Sequence, residues 1–107
     1  MKILHLTLKK EWFDMILSGE KKEEYRETKD YWFKRLTDFF ECGPFPYHYK
    51  HFDAIRFTHG YSRDARTMLV ELNGISEGTA RPEWSGGMKD RCFILRLGNI
   101  LETKNCD

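Results

Sequence analysis

From Asp53 onward the chain is written in strands. Asp53 to Thr58 sets Ile55 and Phe57 against Ala54, Arg56 and Thr58 in strict alternation. Arg66 to Ile75 sets Met68, Val70 and Leu72 against Thr67, Leu69, Glu71 and Asn73. Arg91 to Leu97 is a strongly apolar strand carrying Phe93, Ile94 and Leu95. Between them lie a turn-like His59 to Ser62 and a loop from Glu77 to Asp90 holding Gly78, Pro82, Gly86 and Gly87. Gly98-Asn99 is a tight-turn signal, with Ile100-Leu101 as a short returning strand and a loose tail from Lys104.

The first half mixes helix and strand. Ile3 to Leu8 alternates Leu4, Leu6 and Leu8 with Ile3, His5 and Thr7, a strand with one face in a core. Trp12, Phe13, Ile16 and Leu17 form a helical stripe over about Lys9 to Ser18. Thr7 or the turn beside it is positioned to cap that helix, and Gly19 sits where a left-handed terminating residue belongs. Lys21 to Arg26 reads as a strand leaving the glycine. Asp30 is placed to cap a second helix, Tyr31 to Phe40, with Trp32, Leu36, Phe39 and Phe40 on one stripe. The run Cys42-Gly43-Pro44-Phe45-Pro46 stops it, because proline lacks an amide proton and clashes with the preceding turn. Tyr47 to His51 is then a loop. Two early helices followed by consecutive strands suggest an α+β fold around a small, mostly antiparallel β-barrel. No repeat or linker divides residues 1–107, so a single domain is expected.

Composition closes off several classes. Among 107 residues, 18 basic and 17 acidic side chains nearly cancel, which excludes a polybasic tail or an acidic disordered chain. A near-neutral chain can still gather its cations on one face. No apolar run approaches the roughly 18 residues of a membrane span. Three scattered cysteines, Cys42, Cys92 and Cys106, match no zinc knuckle or dithiol motif and receive no catalytic role. The opening residues lack the layout of a secretory leader, so a reduced, cytoplasmic protein is expected. No phosphate-loop or dinucleotide glycine pattern occurs, so no cofactor is expected.

The most informative segment is Gly19-Glu20-Lys21-Lys22-Glu23-Glu24-Tyr25-Arg26. Lys21 emerges near a helix C-terminus, where the dipole favours a cation. Glu24 and Arg26 share one face of a strand and can pair. Lys21 has the other parity, and joins them only if the chain bends near Lys22. Gly19, Lys21, Glu24 and Arg26 fit the Gly-x-Lys-x-x-Glu-x-Arg signature of the ASCH domain, and residues 1 to 26 resemble that PUA-like family. The resemblance implies a PUA-like β-barrel with helices at its rim and a cleft lined by Lys21, Glu24 and Arg26. It also implies RNA binding, with ribonuclease or modified-nucleoside hydrolase activity in some members. One branch hydrolyses an acetylated cytidine with a threonine nucleophile where this chain has Glu24. A carboxylate does not perform that acyl-enzyme chemistry without a different mechanism.

A second cationic zone runs from Tyr47 to Arg66, with Lys50, Arg56, Arg63 and Arg66 among Tyr47, Tyr49 and Tyr61. Cations suit phosphates and aromatic faces suit bases. His48 and His51 lack third and fourth ligands at a usual spacing, so no metal site is expected. His59 ends a strand, a common place for a general base, whereas His5 is taken as structural. Trp84 in the Gly-rich loop can stack on a base or cover the barrel's open end, and the second is preferred. The leading expectation is RNA binding by Lys21, Glu24, Tyr25 and Arg26, extended by Arg56, His59, Tyr61, Arg63 and Arg66. The enzymatic alternative is a ribonuclease or nucleoside amidohydrolase with Lys21 and Glu24 as its acid/base pair. A third is a protein-interaction module whose charged strand only guards a sheet edge.

Overall fold

The computed structural model describes residues 1–39 and 47–106. Its principal sheet has five strands: β1 (Ile3–Leu8), β2 (Glu23–Glu27), β5 (Ala54–His59), β6 (Thr67–Thr79) and β7 (Arg91–Lys104). They lie in the order β1-β5-β6-β7-β2. β1 runs parallel to β5, and every other pairing in this sheet is antiparallel. Helices α1 (Lys10–Leu17), α2 (Asp30–Leu36) and α3 (Pro82–Ser85) and a two-stranded ribbon of β3 (Thr37–Phe39) and β4 (Tyr47–Tyr49) complete the α+β fold.

Alternation sets which face is buried. Leu6 lies in register with Phe57, and Phe57 with Met68; Leu4 aligns likewise with Ile55 and Val70. These side chains form the concave, apolar face, joined by Phe93 and Leu95 from β7 and by Phe13 and Ile16 from α1. The sheet curls around them into a half-barrel. Its two edge strands, β1 and β2, approach each other closely enough for the Arg26 guanidinium to donate to the Thr7 carbonyl at 3.3 Å.

Several local expectations are corrected. The second helix stops at Leu36 rather than Phe40, and Thr37 is already extended with φ −132. Thr37 Oγ1 donates back to the Phe33 carbonyl, and the β-branched residue passes into β3 instead. The expected helix end at Phe40 and the stop from Cys42 to Pro46 lie outside the described residues. Tyr47 to Tyr49 is a strand, not a loop, because it pairs with β3. The Tyr47 and Tyr49 hydroxyls both donate to Glu77 Oε1, at 2.6 and 2.9 Å. The loop expected from Glu77 begins only after Thr79 and contains α3, with Pro82 in its first turn.

The turn expected at Gly98-Asn99 is absent, and β7 runs unbroken through it. The glycine serves close packing instead. A Cβ at Gly98 would stand 2.9 Å from the Asn73 side chain, beside the register shifts between β6 and β7. The tail is also shorter than expected, since β7 reaches Lys104 and Cys106 packs against the core. Neither proposed side-chain cap forms: Lys9 and Lys29 occupy the two N-cap positions, and Asp30 is the first helical residue of α2. Among the described residues, no helix is long and apolar enough to cross a membrane.

Candidate functional site

The turn after α1 brings the signature residues together. Gly19 takes φ +86, a left-handed value that glycine adopts without a Cβ penalty. The Lys21 amide then donates to the Met15 carbonyl at 2.9 Å, folding the chain back over the helix end. Lys21 thus precedes β2 and is not bound by its parity. Its side chain is buried, 2% exposed. Nζ donates to Glu24 Oε1 at 2.8 Å and to the Trp84 carbonyl at 2.7 Å, and lies 4.3 Å from the Trp12 ring centroid. Burial pushes the Lys21 pKa below its ordinary value, against the attraction of Glu24.

Glu24 joins the other two charges. It is buried, with Oε1 taken by Lys21 and Oε2 accepting from Arg26 Nη1. Arg26 Nη1 also donates to the Tyr25 carbonyl at 2.7 Å, and Nη2 reaches Thr7 across the sheet opening. One buried carboxylate therefore lies between an ammonium on its inner side and a guanidinium on its outer side. Removing either cation leaves a desolvated charge under-compensated, the expensive case for a buried ion pair.

Glu24 and Arg26 line a cleft of about 420 Å³ between β1, β2 and α2. Lys21 stands behind its wall rather than in it. Arg26 and Arg35 each lie over the Trp32 ring, 5.2 Å from its centroid. Arg35 also donates to the His5 carbonyl at 3.2 Å and to the Tyr31 hydroxyl at 3.2 Å. Both guanidiniums thus brace the outward carbonyls of β1 while keeping further N–H donors. An extended residue turns its amide and carbonyl to the same side, so the His5 and Thr7 amides face the same opening. Tyr31 and Tyr61 stand at the rim, 60% and 93% exposed.

The other expected site residues disperse. Tyr25 is buried in a small cluster with Ala80 and Cys92, its hydroxyl donating to Glu23 and accepting from the Arg81 amide. That burial raises the phenol's pKa and leaves no ring face for a base. Arg56 lies in register with His5 and Leu69 on the outer face and pairs with Glu102 at 3.8 Å. Arg66 is tied to Asp14 at 2.8 Å and covers the Phe13 ring at 4.6 Å. His59 meets that same ring at 5.9 Å and Arg66 at 3.3 Å. Arg63 is exposed on the turn after β5. Of these later residues, only Tyr61 lines the cleft. Trp84 is half-buried, supplying its carbonyl to Lys21 and packing with the Tyr25 cluster. No group of three or more potential metal ligands occurs among the described residues.

Trp12, Tyr31, Trp32 and Arg35 were not expected in the site. Tyr31 and Arg35 stand four apart on α2, a spacing at which an aromatic ring and a cation meet. That pattern is visible in the sequence, but the apolar stripe of α2 masks it. Comparison of the chain with known family models, with curated proteins and with solved structures gives no match.

Proposed function

We propose that this chain is a cytoplasmic ASCH-type, PUA-like domain that binds RNA through the cleft between β1, β2 and α2. The observation that carries this reading is the make-up of the cleft. It combines two oriented guanidiniums, exposed aromatic rings and strand-edge amides in one concavity of nucleotide size. Arg26 and Arg35 supply donors to phosphate or to a base edge, and Tyr31 and Tyr61 supply stacking faces. Glu24 holds Arg26 in one orientation, and Lys21 anchors Glu24 from its inner side. The contact of Lys21, Glu24 and Arg26 supports the family resemblance, since these are its signature positions. Fluorescence anisotropy with single-stranded RNA at two salt concentrations tests it. Binding that weakens with salt and with Tyr61→Ala is the expected result; no binding, or binding indifferent to both, contradicts it.

One observation favours a second reading, turnover of RNA or of a modified nucleoside. Glu24 lines the cleft with Lys21 at 2.8 Å, a carboxylate–amine pair suited to moving a proton. Against it, both Glu24 oxygens are engaged and the Lys21 ammonium is enclosed by Glu24, Trp84 and Trp12. Labelled RNA and a panel of acylated nucleosides separate the readings. Product that disappears in Glu24→Gln establishes turnover, and no product across the panel leaves binding ahead.

A further inference from the structure

A second groove, about 370 Å³, lies beside the cleft and shares His5 and Arg35 with it. It runs along the first half of β1 against the last turn of α2. Its charged lining is cationic throughout: Lys2, Lys34, Arg35 and Lys50. Among the described residues, Asp53 accepts from the Lys2 amide at 2.7 Å and Asp38 pairs with Lys50 at 3.9 Å. Lys2 and Lys34 are exposed and enter no ion pair among the described residues. Lys34 and Arg35 alone could be explained as cations complementing the α2 dipole. Lys2 and Lys50 come from other segments, so the helix end does not account for the convergence. The Lys50 amide donates to the Leu36 carbonyl at 2.8 Å, which ties that segment against α2.

We infer that this groove carries the phosphodiester backbone of the strand whose nucleotide occupies the cleft, so that the ligand is an RNA strand rather than a free nucleoside. The inference rests on the cleft reading and adds direction and length to it. Arg35 is the joint, since it lines both the cleft and the groove. Apart from His5, which the groove shares with the cleft, the lining between the cations is the apolar Ile3, Leu4 and Phe52, which add no side chain that reads a base edge. Contacts there are therefore to phosphate and indifferent to sequence.

The experiment compares a trinucleotide with an octanucleotide of RNA by anisotropy, over a salt series. The variant is Lys2→Ala/Lys34→Ala, in which both side chains are exposed and the fold is not at stake. Each lost phosphate contact on a single strand lowers the log–log salt slope by about 0.7. The wild type should bind the octanucleotide more tightly and with a steeper slope. The variant should lose roughly tenfold on the octanucleotide, with a slope shallower by about 1.4, and keep trinucleotide binding unchanged. Octanucleotide binding unaltered in the variant, with Tyr61→Ala still weakening both oligonucleotides, overturns the groove while the cleft stands. Absence of binding by the wild type to either oligonucleotide overturns both.

Discussion

Two charge-rich stretches meet opposite fates in this fold. Lys21, Glu24 and Arg26 touch in series at one wall of a cleft. Arg56, Arg63 and Arg66 belong to a stretch of similar composition and end on an outer sheet face, a turn and the flank of α1. The difference lies in the backbone. A glycine turn delivers Lys21 to the side that Glu24 and Arg26 occupy, whereas strand alternation and the following turn point the later arginines apart. Charge density in a sequence becomes a site only where the chain geometry converges.

The sharpest way to break the comparison is to remove a charge from each stretch. Lys21→Ala leaves Glu24 buried beside an incomplete partner set and should cost about 3–5 kcal/mol in denaturant unfolding. Removing both charges together, in Lys21→Met/Glu24→Gln, should recover part of that loss, because no unpaired carboxylate remains. Arg63→Ala should stay within about 0.5 kcal/mol of wild type. Equal losses in Lys21→Ala and Arg63→Ala erase the distinction.

Binding gives a smaller contrast. Arg35→Ala or Tyr61→Ala should weaken single-stranded RNA binding by about 1–3 kcal/mol per lost stacking or charged contact, read by anisotropy. Arg56→Ala, at a residue paired with Glu102 and outside the cleft lining, should leave it nearly unchanged. An Arg56→Ala effect as large as that of Tyr61→Ala moves the ligand to the other stretch.

The third contrast sets the Lys21–Glu24–Arg26 cluster against the two phenols that share Glu77. Burial, followed by the hydrogen bond to Glu77, raises the Tyr49 phenol above its ordinary value of 10.0. The unfolded chain releases that proton near pH 10 while the folded protein retains it. Tyr49 therefore contributes stability that is full below about pH 10 and is lost as pH climbs toward the folded-state value. Lys21 has the opposite sign: its lowered pKa makes its contribution grow as pH rises to its unfolded value of 10.5. Tyr49→Phe costs about 1 kcal/mol at neutral pH. Its unfolding free energy should fall less steeply above pH 10 than that of the wild type; parallel curves contradict the assignment.

The sequence made the sheet legible where alternation was clean. Leu4, Leu6, Leu8, Ile55, Phe57, Met68 and Val70 all face the core as their period implies. It misled at Gly98-Asn99, where a turn dipeptide serves close packing inside a strand, and at Thr37, where pairing with distant tyrosines overrode the helical stripe. The α+β class with mostly antiparallel pairing was legible, although the parallel β1–β5 pair joins segments about fifty residues apart, beyond any local pattern. At the site, the Glu24–Arg26 pair followed from strand parity, whereas Lys21 joined because the Gly19 turn places it before β2, outside that parity. Arg35 and Trp32 escaped notice because their role depends on α2 lying across the open edge of β1, a tertiary fact.

The most direct measurement follows backbone and indole amide shifts of isotope-labelled protein during titration with single-stranded RNA. The account predicts the largest changes at Thr7, Arg26, Trp32, Arg35 and Tyr61, with Arg56 and Glu102 silent. Changes centred on Arg56 and Glu102, with the cleft silent, would contradict it.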